Sequence, residues 1–191
     1  MIIALSHNGY CYSSLCLAID EPISPKPTLL SKSLKATSCP MTCLIRTATP
    51  HDATAISRVI TAALRESNAQ DYPPEIINQI EQHFSPANIL NFLTQRQVYV
   101  AIIDDHVVAT ASLDGDVVRS VFVDPAFQRK GVGQCLMSAL ESVALANGVR
   151  QLRVPSSITA EGFYRALGFT KIRDEFHGAE RTIIMEKTLN L

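Results

Sequence analysis

The chain has no surplus of charge of either sign: 17 Lys and Arg stand against 18 Asp and Glu in 191 residues, a formal net charge of −1. Near balance removes the electrostatic reason to expect nucleic acid or an anionic membrane as a partner. No apolar run approaches the roughly 20 residues that a membrane helix needs. A zinc-site spacing is missing as well. Cys11, Cys16, Cys39 and Cys43 fall as C-x4-C and C-x3-C with no histidine pattern beside them, and Cys135 reads as a small core residue. The expectation is a cytoplasmic chain with free thiols and no metal. Two glycine signatures are also absent. Gly131 has no partners for G-x-x-x-x-G-K-[ST], and the third glycine of G-x-G-x-x-G is replaced by Leu136.

What is present is a strand, a short loop and a helix over 118–134, ending Val121-Phe122-Val123-Asp124-Pro125-Ala126-Phe127-Gln128-Arg129-Lys130-Gly131-Val132-Gly133-Gln134. A helix start offers free backbone N–H groups and the positive end of the helix dipole, which suit a phosphate or pyrophosphate. Glycines at 131 and 133 allow close approach to the backbone, and Arg129 and Lys130 add positive charge. The stretch predicts a phosphate-bearing anionic ligand.

Gln128-x-x-Gly131-x-Gly133, after a Val-x-Val-Asp-Pro strand end, resembles the acetyl-CoA motif [QR]-x-x-G-x-[GA] of the GCN5-related N-acetyltransferase (GNAT) superfamily. A second segment, Ala160-Glu161-Gly162-Phe163-Tyr164-Arg165-Ala166-Leu167-Gly168-Phe169, resembles that family's A-x-x-F-Y-x-x-x-G-F helix and the strand after it. The resemblance spans roughly Leu44 to Leu189. It implies acetyl-CoA as co-substrate and direct acetyl transfer to a primary amine, on a small molecule or on a peptide or protein. A homodimer is compatible with it. A catalytically silent acyl-CoA-binding or sensing module of the same fold is the alternative, and a different acyl donor or a hydroxyl acceptor is a further one.

Residues 1–40 differ from the rest. They are rich in Ser and Pro, hold three of the five cysteines and show no sustained period. They are expected to be a disordered extension, a targeting peptide, or sequence upstream of a true start at Met41, with residues 41–191 forming the acetyltransferase domain.

From Leu44 the pattern is regular. A strand over 44–47 precedes a capping box at Thr49-Pro50-His51-Asp52. Ile56, Val59, Ile60, Ala63 and Leu64 then mark one face of a helix. Further helices are expected over 75–83, with Ile76, Ile77, Ile80 and Phe84 as its apolar face, and over 86–95. Three strands follow at 97–103, 107–113 and 117–123, joined by tight turns. The glycine loop feeds a helix bearing Val132, Leu136, Leu140, Val143 and Ala144, ended by Asn147-Gly148. A strand at 149–154, a helix at 160–167 and strands at 169–173 and 181–189 complete an α/β fold. The fold expected is GNAT-like: a mixed, mostly antiparallel sheet of about seven strands with helices on both faces.

The resemblance also implies roles. The strand carrying Val121, Phe122 and Val123 would be bulged and splayed from its parallel neighbour, so that the pantetheine arm pairs with its backbone and a backbone N–H polarises the thioester carbonyl. Gln128, Arg129, Lys130, Gly131, Val132, Gly133 and Gln134 would form the pyrophosphate cradle. Tyr164 would be the general acid, with Phe163 and Leu167 packing inward and leaving it at another angle. Ser157 stands where the family often has Asn, able to cap the helix and meet the cofactor arm. No general base is assigned: Asp114 and Asp116 read as turn residues, Asp124 as a loop cap, and Glu66 as a residue able to line the acceptor site.

Overall fold

The computed structural model describes residues 43–69, 73–177 and 180–190. The expectations for residues 1–40, for the Met41 start and for the Ile76 side chain lie outside the described residues. Seven strands form one sheet in the order β1-β2-β3-β4-β5-β7-β6. They are β1 Leu44–Thr47, β2 Gln97–Ile103, β3 His106–Asp114, β4 Val117–Val123, β5 Gln151–Ser156, β6 Thr170–His177 and β7 Glu180–Thr188. All pairings are antiparallel except β4 with β5. The helices are α1 Ala53–Ala63, α2 Pro74–His83, α3 Pro86–Gln95, α4 Val132–Ala146 and α5 Glu161–Ala166.

Strand alternation divides the core in two. Tyr99, Ala101 and Ile103 of β2 face α4 and α5, together with Ala109, Ala111 and Leu113 of β3. Val98, Val100 and Phe122 face α1, α2 and α3, whose Ile56, Ile60, Ile77, Ile80 and Ile89 cover them. On β4 the alternation is interrupted. Ser112 pairs with Arg119 and Thr110 with Phe122, so Ser120 and Val121 together oppose Ala111. Ser120 takes the left-handed conformation, φ 53°, which costs a non-glycine residue about 1–2 kcal/mol. This bulge puts Val118 and Val121, three apart, on the same face.

Several boundaries differ from expectation. β5 starts and ends two residues later than the apolar run suggests, because Val149 closes the turn after α4 by donating to the Ala144 carbonyl. β6 extends to His177 because its pairing with β7 continues through Phe176↔Arg181. After α1 the chain winds into a π-helical turn over Leu64–Asn68, which apolar spacing does not signal. Cys43 is a free thiol as expected, whereas Cys135, buried in the core, is disulfide-bonded. Among the described residues no helix is long and apolar enough to cross a membrane, and no cluster of three or more His, Cys, Asp or Glu could hold a metal.

The expected capping box is present at the entry to α1. The Thr49 N–H and hydroxyl donate to Asp52 Oδ2 at 2.7 and 2.9 Å. Arg46 donates to both carboxylate oxygens at 2.8 and 2.9 Å. The Arg46 fork, with the Thr49 donors, holds the carboxyl down at about 2 against the opposing effect of burial. A depressed pKa makes this contribution present above the ordinary carboxylate range and lost as pH falls from about 4 toward 2. Asp52→Asn should cost about 1–2 kcal/mol at pH 7. The gap in urea midpoint between variant and wild type should shrink as pH approaches 2, and a gap independent of pH would contradict the assignment.

Candidate active site

β4 ends at Val123, and a 3₁₀ turn over Pro125–Phe127 leads into the loop before α4. Asp124 secures that turn, as expected: its Oδ1 accepts from the Ala126 N–H at 3.0 Å, while its own N–H donates to the Val108 carbonyl at 2.8 Å. Arg129 and Gly131 both take the left-handed conformation, φ 58° and 84°. Two such residues within three positions curl the backbone so that successive N–H groups converge. Gly131 is the N-cap of α4 and offers no side-chain oxygen. The first bond into the helix runs from Cys135 N–H to the Gly131 carbonyl at 3.0 Å. The N–H groups of Val132, Gly133 and Gln134 therefore have no intrahelical acceptor and stand at the positive end of a 15-residue helix. Gly133 is buried in this first turn and Gln134 is exposed. Arg129 and Lys130 are exposed and pair with no carboxylate among the described residues; Lys130 Nζ lies 5.2 Å from the Phe127 ring centre.

Gln128 is engaged within the protein. Its amide nitrogen donates to the Val123 carbonyl at 3.0 Å and to Ser67 Oγ at 2.9 Å. The side chain ties the end of β4 to the π-helical turn, so its amide is spent on positioning the loop rather than left free for a phosphate.

β4 and β5 pair at Val117↔Arg153, beside a bond from Arg153 N–H to the Asp116 carbonyl at 2.9 Å. No further β4–β5 register follows, so the paired part of the two strands ends at Val117, ahead of the bulge. The side chains of Val121, Phe122 and Val123 are fully buried, which leaves their main chain as the surface on the β5 side.

Tyr164 reverses the expected orientation of its helix. It is the buried residue of α5, between Phe163 at 5.2 Å and Phe169 at 5.6 Å between ring centres, while Phe163 and Leu167 are only partly buried. α5 has six residues, too few for an i, i+4 pair to reveal which face turns inward. The Tyr164 hydroxyl has no hydrogen-bond partner, and burial pushes its pKa far up, so it stays protonated. Ser157 is buried and its Oγ accepts from the Ala160 N–H at 3.2 Å. It braces the turn before α5 instead of capping the helix itself.

Among the carboxylates, Asp114 pairs with Arg119 at 3.0 Å, and Asp116 and Glu66 are exposed. Two residues that sequence reasoning missed carry buried polar atoms. Asn68 is fully buried with both side-chain polar atoms unpartnered, and Arg96 Nε is buried without a partner. No motif signals either one; only the packing around them makes them unusual.

The start of α4 after the left-handed Gly131 thus leaves backbone donors open beside the bulged strand. The chain matches the acetyltransferase (GNAT) domain family over residues 68–189, and it belongs to that family. It is 28% identical over 131 residues to the uncharacterised N-acetyltransferase YafP of Escherichia coli K12, covering 69% of this chain and 83% of YafP. Its fold is similar to a GCN5-related N-acetyltransferase of Rhodopseudomonas palustris, with TM-score 0.71 and 26% identity over 76% of this chain and 94% of that one. It also shares the fold of PaiA N-acetyltransferase from Thermoplasma acidophilum, solved in complex with coenzyme A: TM-score 0.66, 19% identity, 78% and 99% coverage.

Gln128→Leu leaves the Val123 carbonyl and Ser67 without their donor, and should lower stability by about 1–3 kcal/mol. Gly131→Ala forces a side chain into φ 84° and should cost about 1–2 kcal/mol. Urea unfolding of each variant reads both, and wild-type stability in either would contradict the geometry.

Proposed function

We propose that the chain is an acetyl-CoA-dependent N-acetyltransferase that acts by direct transfer to a primary amine, with Tyr164 as general acid. The observation that carries this reading is the adjacency of two main-chain surfaces: the open N-terminus of α4 and the β5-side edge of β4 beyond the bulge. The first suits a pyrophosphate, held by the N–H groups of Val132, Gly133 and Gln134 with Arg129 and Lys130 at the rim. The second suits an extended amide-bearing arm that pairs as an added strand along Val121, Phe122 and Val123. The orphaned Tyr164 hydroxyl is the kind of buried donor that a bound group would satisfy. Acetyl-CoA, when bound, supplies an activated acetyl group as a thioester.

A backbone N–H of β4 past the bulge polarises the thioester carbonyl. Tyr164, kept protonated by burial, gives its proton to the departing sulfur as the C–S bond breaks and the C–N bond forms. The proton released from nitrogen replaces the one the phenol gave up, so the transfer balances without bulk solvent reaching the buried Tyr164. The amine enters neutral, so no carboxylate base is required: Asp124 is committed to its turn and Asp114 to Arg119. Ser157 holds the turn that sets the start of α5.

Two outcomes test it. Calorimetry should detect acetyl-CoA binding to the wild-type chain and lose it in a folded Gly133→Asp variant, whose side chain would bring charge and bulk to the open helix start. No binding by folded wild type would sink the proposal. Tyr164→Phe should lower kcat by roughly 100-fold or more while leaving acetyl-CoA affinity unchanged. Because it removes an unpartnered buried hydroxyl, it should not lower stability. Unchanged turnover would remove Tyr164 from the mechanism. The raised pKa of Tyr164 also predicts that kcat/KM rises with pH as the amine deprotonates, with no fall from this group at mildly alkaline pH.

A further inference from the structure

α1 ends in a π-turn: the Ala69 N–H donates to the Leu64 carbonyl, five residues back, at 3.1 Å. Such a turn recurs at functional sites. This one turns two polar residues inward together. Ser67 is 8% exposed and Asn68 is fully buried. The Asn68 carboxamide has no partner at either end, so the turn is held at a cost in stability. On its outer side, Arg65 forks onto Glu81 of α2 at 2.6 and 2.8 Å.

Ser67 reaches across to the loop before α4. Its Oγ accepts from Gln128 Nε2 at 2.9 Å and donates to Gln128 Oε1 at 3.3 Å. The second proton of Nε2 goes to the Val123 carbonyl at 3.0 Å. That carbonyl settles which end of the amide faces β4, because Oε1 in the same place would set two acceptors against each other. Both amide protons are spent, and the plane of the amide is fixed by Ser67 on one side and by β4 on the other. Gln128 itself is extended, φ −66° and ψ 157°, and the next residue, Arg129, is left-handed at φ 58°. The strained turn that converges the N–H groups of the loop therefore starts from Gln128.

We propose that Ser67 is a positioning residue for the acyl-donor site: through Gln128 it fixes the end of β4 relative to the loop at 128–133, and so sets the affinity for acetyl-CoA. The proposal rests on the acetyltransferase reading above and gives the π-turn its task. A main-chain anion site has no side chain with which to adjust, so its affinity depends on how firmly the backbone is held. The two surfaces assigned to the donor are the strand edge at Val121–Val123 and the open N–H groups of α4. They are joined at Gln128, whose side chain bonds back to Val123. Without Ser67, Gln128 keeps one side-chain bond, to Val123, about which the amide can turn. Ser67 touches no reacting atom in this reading and takes no part in proton transfer.

The test is calorimetry of acetyl-CoA on the full chain, with urea unfolding of each variant to establish that it is folded. Ser67→Ala should raise the dissociation constant about 5- to 10-fold, the loss expected of one neutral hydrogen bond. Ser67→Cys is close in size but carries a weak acceptor. It should move the constant in the same direction, and it decides the matter if Ser67→Ala does not fold. In a Gln128→Leu background, Ser67→Ala should weaken binding by less than about 2-fold further, because the route is already cut. Wild-type affinity in a folded but destabilised Ser67→Ala variant would overturn the proposal and leave Ser67 a purely structural residue. An equal loss in both backgrounds would overturn it as well, since Ser67 would then act without Gln128. Failure of folded wild type to bind acetyl-CoA would instead overturn the enzymatic reading, and this proposal with it.

Discussion

One distortion organises this molecule: the bulge at Ser120 in the middle of the sheet. A regular β4 would keep pairing with β5 and would keep Ser120 in an extended conformation. Instead Ser120 sits at φ 53°, and the strand registers with β5 only at its first residue. Two consequences follow from that twist. Ser120 turns toward α3, where it meets Arg96. The strand end is carried toward the loop before α4, where Gln128 anchors it through the Val123 carbonyl. The strain is tolerated because both ends are fixed, by the β3 ladder on one side and by Gln128 on the other.

The helices on each side of the bulge have different tasks. α4 lies under the sheet through Val132, Leu136 and Leu140, all fully buried, so its start is rigidly placed relative to β4. Its dipole and open N–H groups need that rigidity, because a main-chain anion site has no side chain with which to adjust. α1 to α3 pack on the other face and leave a gap over Ser112 and Ser120. The polar groups left without partners, on Asn68, Arg96 and Tyr164, belong to the π-turn after α1, the residue after α3, and α5. Each lowers the stability of the folded chain, and a fold selected for stability alone would have filled or paired them.

Much of the fold was legible in the sequence. The limits of β2, β4 and α3 follow from alternation, tight turns and the Ser85-Pro86 start. The loop at 128–133 announced itself through glycine spacing. What was not legible depends on distant packing. The inward turn of Tyr164 is set by the brace at Ser157 and by Phe169 on the next strand, not by spacing within a six-residue helix. The motif places Gln128 beside the glycines, but its partner Ser67 is 61 positions away and is brought there by a π-turn that no local pattern marks. Cys135 fitted its core position by pattern, while its disulfide follows from no spacing rule.

The same contrast explains why two surfaces of the molecule differ in how they can be read. The surface assigned to the acyl donor is made of backbone: N–H groups at a helix start and along a strand edge. Such a surface constrains sequence only where glycine is needed or where a side chain would intrude, and that is why a few spaced residues reveal it. The small pocket on the other face of the sheet is made of side chains from α1, the residue after α2, α3, Arg96, β2, β3 and β4. Each of those residues is ordinary in its own element: Ile56 and Ile60 continue a helix face, Thr110 and Ser112 suit a strand, and Arg96 simply ends α3. Their meaning arises only when the register of β3 and β4 sets Ser120 against Arg96. A surface built of backbone can therefore be read from a few spaced residues, and one built of side chains from distant elements cannot.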